Sequence, residues 1–261
     1  MNEQTTSPEQ SLQPGDVPPI EPEHVGIEAM ALPPPEKWTT MLKYVFSDPF
    51  RLGNAVKRRA TWWLPFIIGA VIAVAFQLLV SEQIATMVEQ KVRESLARSS
   101  SELSADQAER AVNVAKSVTH VTGPLFSVIS VLLFALISAL LWLLVGNLLL
   151  GGEAKLAPLF AGSVWLNLIV SVSMFIRLPL VLMRGTMDVP LGPAALLPEG
   201  TKGFLATVFG ALDVFYIWMV IAYGIMAAAI FNWSKRKGIT VGIVTYLVVM
   251  MLIGLLAQVT A

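Results

Sequence analysis

The chain has 261 residues, of which 55% are hydrophobic and 14% are charged, and its mean hydropathy is +0.68. A soluble domain has about 25% charged residues, so these values exclude an ordinary soluble globular protein and a long disordered chain. The 18 basic and 18 acidic residues cancel, and no basic patch indicates a nucleic-acid partner. The absence of cysteine excludes disulfides, thiolate catalysis and cysteine-ligated zinc.

Residues 1–36 form an acidic, proline-rich segment. They hold seven acids, no lysine or arginine, and eight of the 16 prolines. This composition predicts a disordered tail with polyproline II character. A signal peptide is excluded, because the segment has neither a basic start nor an apolar core. Two interpretations stay open: a solvated tail, or a docking segment for a partner domain that recognises proline motifs.

A basic amphipathic juxtamembrane segment follows at residues 37–61. It combines aromatic side chains such as Trp38 and Phe50 with the basic run Lys57-Arg58-Arg59. Asp48-Pro49 predicts a helix start, with Asp48 as the N-cap and Pro49 at the first helical position. Such a segment is typical of a helix that lies in the membrane interface and attracts anionic lipid. An ordinary topology anchor would have the same composition.

Five apolar stretches within residues 62–259 are long enough to cross a bilayer, which needs about 20 residues. The sequence therefore predicts an all-α polytopic membrane protein, a bundle of five transmembrane helices in a lipid bilayer. The predicted spans are 62–80, 124–150, 157–183, 203–231 and 239–259.

Residues 81–123 separate the first two spans and show helical periodicity. Ile84, Val88 and Leu96 recur at helical spacing, which predicts that the first helix continues beyond the membrane. Ser104-Ala105-Asp106-Gln107 fits a capping box for a second helix. Pro124 is then expected in the first turn of the second span. The prediction is an extramembrane helical hairpin, either a spacer or a binding surface.

The basic residues near the span ends predict the orientation. Ten of them lie on the side of residues 37–61, and seven lie on the other side, mostly in the long hairpin. We therefore expect a cytoplasmic N-terminus and a C-terminus on the far side of the membrane.

Four of the polar residues inside the predicted spans are candidate functional residues: Asn147, Asn167, Arg177 and Asp213. An aspartate at a helix centre costs about 2.5–3.5 kcal/mol, which the apolar residues of the fourth span outweigh. Arg177 and Asp213 lie on consecutive antiparallel spans at comparable depths, so an ion pair between them is possible. Intramembrane ionisable residues are functional candidates. The pair either holds helices together or takes part in transport or proton movement.

Small residues at a spacing of four predict close helix contacts. Gly238 and Gly242 form such a pair at the start of the fifth span, and Ala206 and Gly210 form another in the fourth. The pattern favours packing within the bundle more than dimerisation.

The sequence contains no catalytic signature. Its two histidines, His24 and His120, lie outside the spans, and zinc-protease, nucleophile-elbow and Walker motifs are all missing. An intramembrane aspartyl protease needs two carboxylates in spans, and Asp213 alone qualifies. The expectation is a protein without catalytic residues, cofactor or metal.

Two motifs resemble the bacterial form of the Yip domain family of integral membrane proteins. The first is Phe46-Ser47-Asp48-Pro49-Phe50 before the first span. The second is the run from Leu149 to Lys155, Leu-Leu-Gly-Gly-Glu-Ala-Lys, followed by Ala157-Pro158-Leu159-Phe160-Ala161. The resemblance covers about residues 40–259. Thr122-Gly123-Pro124 is weakly similar to a Tyr-Gly-Pro motif of eukaryotic members, without the tyrosine.

The resemblance implies a helical membrane domain in the bacterial cytoplasmic membrane. Eukaryotic relatives organise vesicle membranes and recruit GTPases. The leading hypothesis is therefore a non-enzymatic scaffold that organises membrane or binds a partner, either another membrane protein or a further copy of itself. The alternative is a small permease or channel subunit that uses Asp213 and Arg177.

Overall fold

The computed structural model describes residues 36–98, 104–187, 189–198, 201 and 203–260. The predicted disordered tail lies outside this set except for Glu36. Throughout the described part of the chain the regular secondary structure is helical. This agrees with the predicted all-α class.

The helices run in chain order with short connections. Their bounds are α1 Trp38–Ser47, α2 Pro49–Arg58, α3 Trp63–Leu79, α4 Ser81–Arg98, α5 Ala105–Leu143, α6 Leu156–Arg184, α7 Gly203–Ala211, α8 Val214–Ile230 and α9 Lys235–Thr260. A π-helical segment, Leu144–Leu149, extends α5, and a 3-10 turn, Pro193–Leu196, lies before α7.

Helices α6 and α8 form the centre of the bundle. On α6 the consecutive residues 161–169 are all buried, because α2, α3, α5 and α8 pack around this helix. The Trp165 indole N–H donates to the carbonyl oxygen of Thr61 at 3.0 Å. This bond ties the connection between α2 and α3 to the core.

The juxtamembrane segment folds as α1 and α2 and joins the protein core. Asp48 caps α2 by accepting from the backbone N–H of Arg51, with Pro49 at the first helical turn, so the predicted helix start is confirmed. Val45, Leu52 and Val56 are fully buried against α6 and α8. The apolar face of this segment therefore packs on protein rather than on lipid.

Three helices are long and apolar enough to cross a membrane, and two bent helix pairs bring the number to as many as five. The three are α5 with its π-helical extension, α6 and α9. The bent pairs are α3 with α4 and α7 with α8. This set of helices is consistent with the predicted polytopic membrane protein.

The predicted fourth span, 203–231, is not one helix. It is broken between α7 and α8, whose axes differ by 62°. Asp213 lies at the break and caps α8, because its carboxylate accepts from the backbone N–H of Phe215 at 2.7 Å. An aspartate satisfies the free amides of a helix start well, so Asp213 begins a helix here instead of interrupting one.

The helix of the predicted first span also ends earlier than expected. The chain turns by 70° between α3 and α4, at Val80, which is fully buried against Val181 and Val189. Burial of Val80 against the end of α6 accounts for a turn that the periodicity of residues 81–96 does not reveal.

Helix α5 continues from the hairpin into the membrane without a break. Its capping box, formed by Ser104 and Gln107, is confirmed. Pro124 does not start a helix but lies inside α5. The proline removes a backbone donor there and leaves the carbonyl four residues earlier without its helical partner.

Candidate functional site

Arg177 of α6 and Asp213 at the start of α8 form an ion pair. The Arg177 guanidinium contacts one carboxylate oxygen, and the other oxygen accepts from the Phe215 amide. The Asp213 side chain is 3% exposed and the Arg177 side chain is 28% exposed. The structure thus brings together the two ionisable residues that the sequence placed at similar depths.

The carboxylate of Asp213 is fully engaged in contacts with its own protein. A cleft of about 520 Å³ lies between α5, α7, α8 and α9, and its wall includes Ala211, Tyr216 and Tyr246 but not Asp213. The Tyr246 hydroxyl donates to the carbonyl oxygen of Ala211 at 2.5 Å. This geometry fixes the bend between α7 and α8 and gives the carboxylate no free oxygen towards the cleft.

Asn167 links α6 to α5 at mid-span. Its side-chain N–H donates to the carbonyl oxygen of Val131 at 3.1 Å, and its Oδ1 is buried without a hydrogen-bond partner among the described residues. The residue also lines a smaller cavity of about 210 Å³ together with Gly69 and Ser171. The hydrogen bond of Asn167 therefore joins two helices of the bundle.

Asn147 closes the loop between α5 and α6. Its side-chain N–H donates to the carbonyl oxygen of Ala154, and its Oδ1 accepts from the Ala154 amide, both at 2.9 Å. Gly151 adopts φ +66° within this loop, a conformation that glycine takes without steric cost. Asn147 therefore lies at the end of its span, where its side chain holds the loop backbone instead of contacting other helices inside the bundle.

Phe231 packs against two glycines of the same region. A Cβ atom on Gly146 would lie 2.0 Å from the Phe231 ring, and one on Gly152 would lie 2.6 Å from it. The ring of Trp233 stacks on the ring of Phe231, with the ring centroids 4.5 Å apart. The glycines of the loop are thus required by the close approach of an aromatic ring from the end of α8.

The turn between α8 and α9 is a Schellman motif. Asn232 lies in the left-handed region at φ 57°, and the Trp233 amide donates to the carbonyl oxygen of Ala228 at 2.7 Å. The Asn232 side-chain oxygen accepts from the Lys57 ammonium at 2.7 Å. Ser234 then caps α9 by accepting from the Lys237 amide.

These segments form a positively charged surface, which we call the basic face. It comprises exposed cations from the end of α2, the loop after α5 and the start of α9, with Glu153 as the acid in the same segments. Lys235 lies over the Phe50 ring at 5.0 Å and Lys237 over the Trp233 ring at 4.5 Å, which are cation–π distances. The cations are Lys57, Arg58, Arg59, Lys155, Lys235, Arg236 and Lys237.

The predicted small-residue pairs differ in their contacts. A Cβ atom on Gly238 would lie 2.1 Å from the carbonyl oxygen of Gly224, and one on Gly242 would lie 3.1 Å from that of Val220. Gly238 and Gly242 therefore allow α9 to approach α8. At Gly210 a Cβ atom would meet nothing within 4 Å, so the Ala206–Gly210 pair gives no close contact at Gly210, which faces the cleft.

The hairpin of α4 and α5 is joined by an ion pair between Glu89 and Lys116. Glu89 of α4 contacts Lys116 of α5 and also Arg93, whose guanidinium lies 2.9 Å away. The hydrogen bond from Lys116, supported by Arg93, lowers the pKa of the Glu89 carboxyl below its ordinary value. Among the residues that the structure describes, no three His, Asp or Glu side chains are grouped to hold a metal ion.

The sequence analysis did not identify the contacts beneath the basic face as part of a functional site. Lys57 and Asn232 meet across 175 positions of sequence, and no local spacing predicts a contact between residues so far apart in the chain. Two local features of the sequence could have indicated the α8–α9 turn. Asn232 directly follows a long apolar run, and the basic run Lys235-Arg236-Lys237 comes after it.

The comparisons with known proteins agree with the motifs at this end of the molecule. A family model described as the Yip1 domain matches residues 43–257. The match includes α2, the loop after α5 and the α8–α9 turn. No curated protein and no solved structure matches the chain significantly.

Proposed function

This chain belongs to the Yip1 domain family of membrane proteins, and from this premise we propose that it is a non-enzymatic membrane-organising scaffold. In this proposal the basic face binds a partner protein with an acidic surface. The N-terminus and the basic face are cytoplasmic, the C-terminus lies on the far side, and the membrane is a bacterial cytoplasmic membrane.

One observation carries the proposal. The two motifs on which the family resemblance depends meet at one end of the bundle: Phe50 lies under Lys235, and Gly152 packs on Phe231. The resulting surface is closely packed at its base and cationic at its rim. Rim charges steer association and select partners of opposite charge more than they add affinity.

The charge distribution supports the same assignment. The segments of the basic face carry seven basic residues and one acid, and Glu36 pairs with one of these cations, Arg58, at 3.3 Å. Basic residues next to membrane spans favour the cytoplasmic side. They also attract anionic headgroups at about 1 kcal/mol per residue, so a lipid surface is the competing occupant.

The packing around Asp213 weighs against the permease alternative. A transport role for a carboxylate requires access to water or substrate. Both oxygens of Asp213 are occupied by Arg177 and the Phe215 amide. We therefore assign the pair a positioning role for the bend between α7 and α8.

The test is crosslinking and co-purification from native membranes. The full chain is compared with a chain lacking residues 1–36 and with the triple variant Lys57→Gln, Lys235→Gln, Lys237→Gln. The matched control neutralises three exposed cations near the opposite end, Lys91→Gln, Arg110→Gln, Arg184→Gln. Because the substitutions to glutamine change the number of basic residues on one side of the membrane, reporter fusions at both termini verify that each variant keeps its orientation.

We expect the basic-face variant to lose at least about tenfold of the co-purified protein, a loss equivalent to 1.4 kcal/mol, while the control retains it. Equal loss in both variants would show that general charge, not the basic face, is responsible. The proposal fails if no protein co-purifies with the full chain while purified protein supports substrate flux in liposomes. Reporter fusions at both termini test the orientation.

A further inference from the structure

An exposed apolar stripe lies in the N-terminal half of α5 and its π-helical extension, at residues 114–125. Val114, Val118, Val121 and Leu125 are 62%, 53%, 76% and 61% exposed. Their separations of four, three and four residues place them on one face of the helix. We call these four side chains the valine seam.

The seam begins outside the hydrocarbon layer. Helix α5 with its extension has 45 residues, about 67 Å at 1.5 Å per residue, whereas the hydrocarbon core is about 30 Å thick. The excess length is the N-terminal part, because the charged residues of the helix are all found there, ending at Lys116. Lipid tails therefore cannot cover Val114 or Val118.

Helix α4 does not cover the seam either. It packs on the opposite face of α5, where Val112 is 2% exposed and Lys116 pairs with Glu89. At 100° per residue, Val112 and Lys116 lie about 160° from the middle of the seam. The Glu89–Lys116 ion pair thus holds the valines outward.

The spacing of the seam indicates its occupant. Apolar residues alternating at three and four positions are the pattern of helices that pair with each other in a coiled coil. Two copies of a membrane protein insert with the same orientation, so their α5 helices are parallel and related by a twofold axis along the membrane normal. Each seam residue then meets its own counterpart.

The flanks of the seam are compatible with pairing of identical surfaces. A twofold contact places like residues near each other, so charged flanks would repel. Between Val114 and Leu125 the flanking residues are Ala115, Ser117, Thr122 and Pro124, which are all uncharged. The nearest flanking charge, Arg110, lies one turn before the seam.

We propose that the valine seam is the contact by which two copies of this chain form a parallel dimer. The exposed apolar face continues along α5 into the span, through Ile129, Leu133 and Leu140, so the same helix pair extends into the bilayer. This inference does not depend on the basic face, which lies at the other end of α5.

Single-cysteine crosslinking tests the proposal directly, because the chain has no cysteine of its own. Val114→Cys, Val118→Cys and Val121→Cys are oxidised in native membranes. Asn113→Cys and His120→Cys are the controls, since both positions are exposed and lie about 100° from the seam. A disulfide needs Cα atoms within about 7 Å, which the seam positions alone satisfy in a parallel pair.

We expect the seam variants to form a product of twice the chain's mass, at a yield about tenfold above the controls because of that distance limit. The proposal is overturned if seam and control positions crosslink equally, or if neither crosslinks. An adduct with a different protein, identified by its mass, would also overturn it.

A second variant uses no crosslinking. Val118→Glu combined with Val121→Glu places repelling charges at the centre of the contact, whereas Asn113→Glu adds a charge beside it. Both sites are exposed, so the single chain keeps its fold, which a thermal melt verifies. In lipid nanodiscs we expect one copy for the double variant and two for the wild type and the control. A double variant that still forms dimers would refute the proposal.

Discussion

At the basic face, helices and loops meet through backbone and glycine contacts, whereas at the opposite end an ion pair between Glu89 and Lys116 joins α4 to α5. At the basic face, exposed charged side chains lie over closely packed glycine and aromatic contacts. The opposite end has a half-buried ion pair between its two helices beside an exposed apolar seam. The comparison therefore separates a closely packed surface from one that a further contact would complete.

The strongest test of this difference is a glycine substitution at the packed end. Gly238→Leu would force a side chain against the Gly224 carbonyl oxygen, 2.1 Å from the Cβ position. Overpacking of a backbone contact destabilises by about 3 kcal/mol or more, so we expect loss of folded protein in fluorescence-detected size exclusion and thermal melts.

The matched control is Gly210→Leu, whose Cβ position meets nothing within 4 Å. Because leucine has a higher helix propensity than glycine, this variant should keep or slightly raise the melting temperature. Equal damage by both substitutions would show that glycine flexibility, not close approach, matters at Gly238.

The next largest effect is expected at the Arg177–Asp213 ion pair, beside the bend between α7 and α8. Asp213→Ala removes the partner of Arg177 and the cap of α8, so we expect a loss of about 3 kcal/mol, as for removal of one member of a buried ion pair. Asp213→Asn retains a cap acceptor, which is worth about 1 kcal/mol, and should melt between the two. Thermal unfolding in one detergent measures all three proteins.

The converse outcome separates the two functional hypotheses. If Asp213→Asn melts like wild type and abolishes substrate flux in liposomes, the carboxylate has a transport role and the positioning role is wrong.

A smaller effect is expected at the loop of the basic face. Asn147→Ala removes both hydrogen bonds to Ala154, and two such bonds contribute about 1–3 kcal/mol together. We expect faster hydrogen exchange in residues 150–155 and weaker partner binding. Asn113→Ala, at an exposed position of the hairpin, should change neither. An unchanged exchange rate in the Asn147 variant would show that the glycine contacts alone hold the loop.

The smallest effect is the pH dependence of the hairpin. The folded-state pKa of Glu89 lies below its unfolded value, chiefly because of Lys116 and then Arg93. Its stabilising contribution is therefore present above the ordinary glutamate pKa and is lost as the pH falls through the lowered value. Glu89→Gln should speed exchange of α4 amides at neutral pH and leave it unchanged in acid.

Glu109→Gln serves as the control for this experiment, since Glu109 is exposed on the same hairpin. A difference between wild type and Glu89→Gln that persists in strong acid would show that the side-chain shape, not its charge, joins the helices.

The sequence predicted much of the helical organisation. Composition and long apolar runs identify a polytopic helical membrane protein, and local capping patterns locate helix starts at Pro49 and Ala105. These features depend on residues close together in the chain. The same rules gave no sign of the breaks at Val80 and Asp213, because a bend in a helix of apolar residues is set by what packs beside it.

The pairing of Arg177 with Asp213 was within reach of the sequence, because two consecutive antiparallel spans restrict the depth of each residue. The contact between Lys57 and Asn232, separated by 175 positions, was not. It exists because α2 folds back onto α8, and that packing follows from the burial of Leu52 and Val56.

The sequence by itself therefore determined that the protein lies in a membrane, where most of its helices are and which residues are costly to bury in lipid. These properties depend on local transfer and hydrogen-bonding energies. The tertiary structure alone decided which surfaces remain uncovered. Val114, Val118 and Val121 look like core residues in the sequence, yet they are exposed. Whether a helix face is buried depends on which neighbour the folded chain places against it, and α4 packs on the other side of α5.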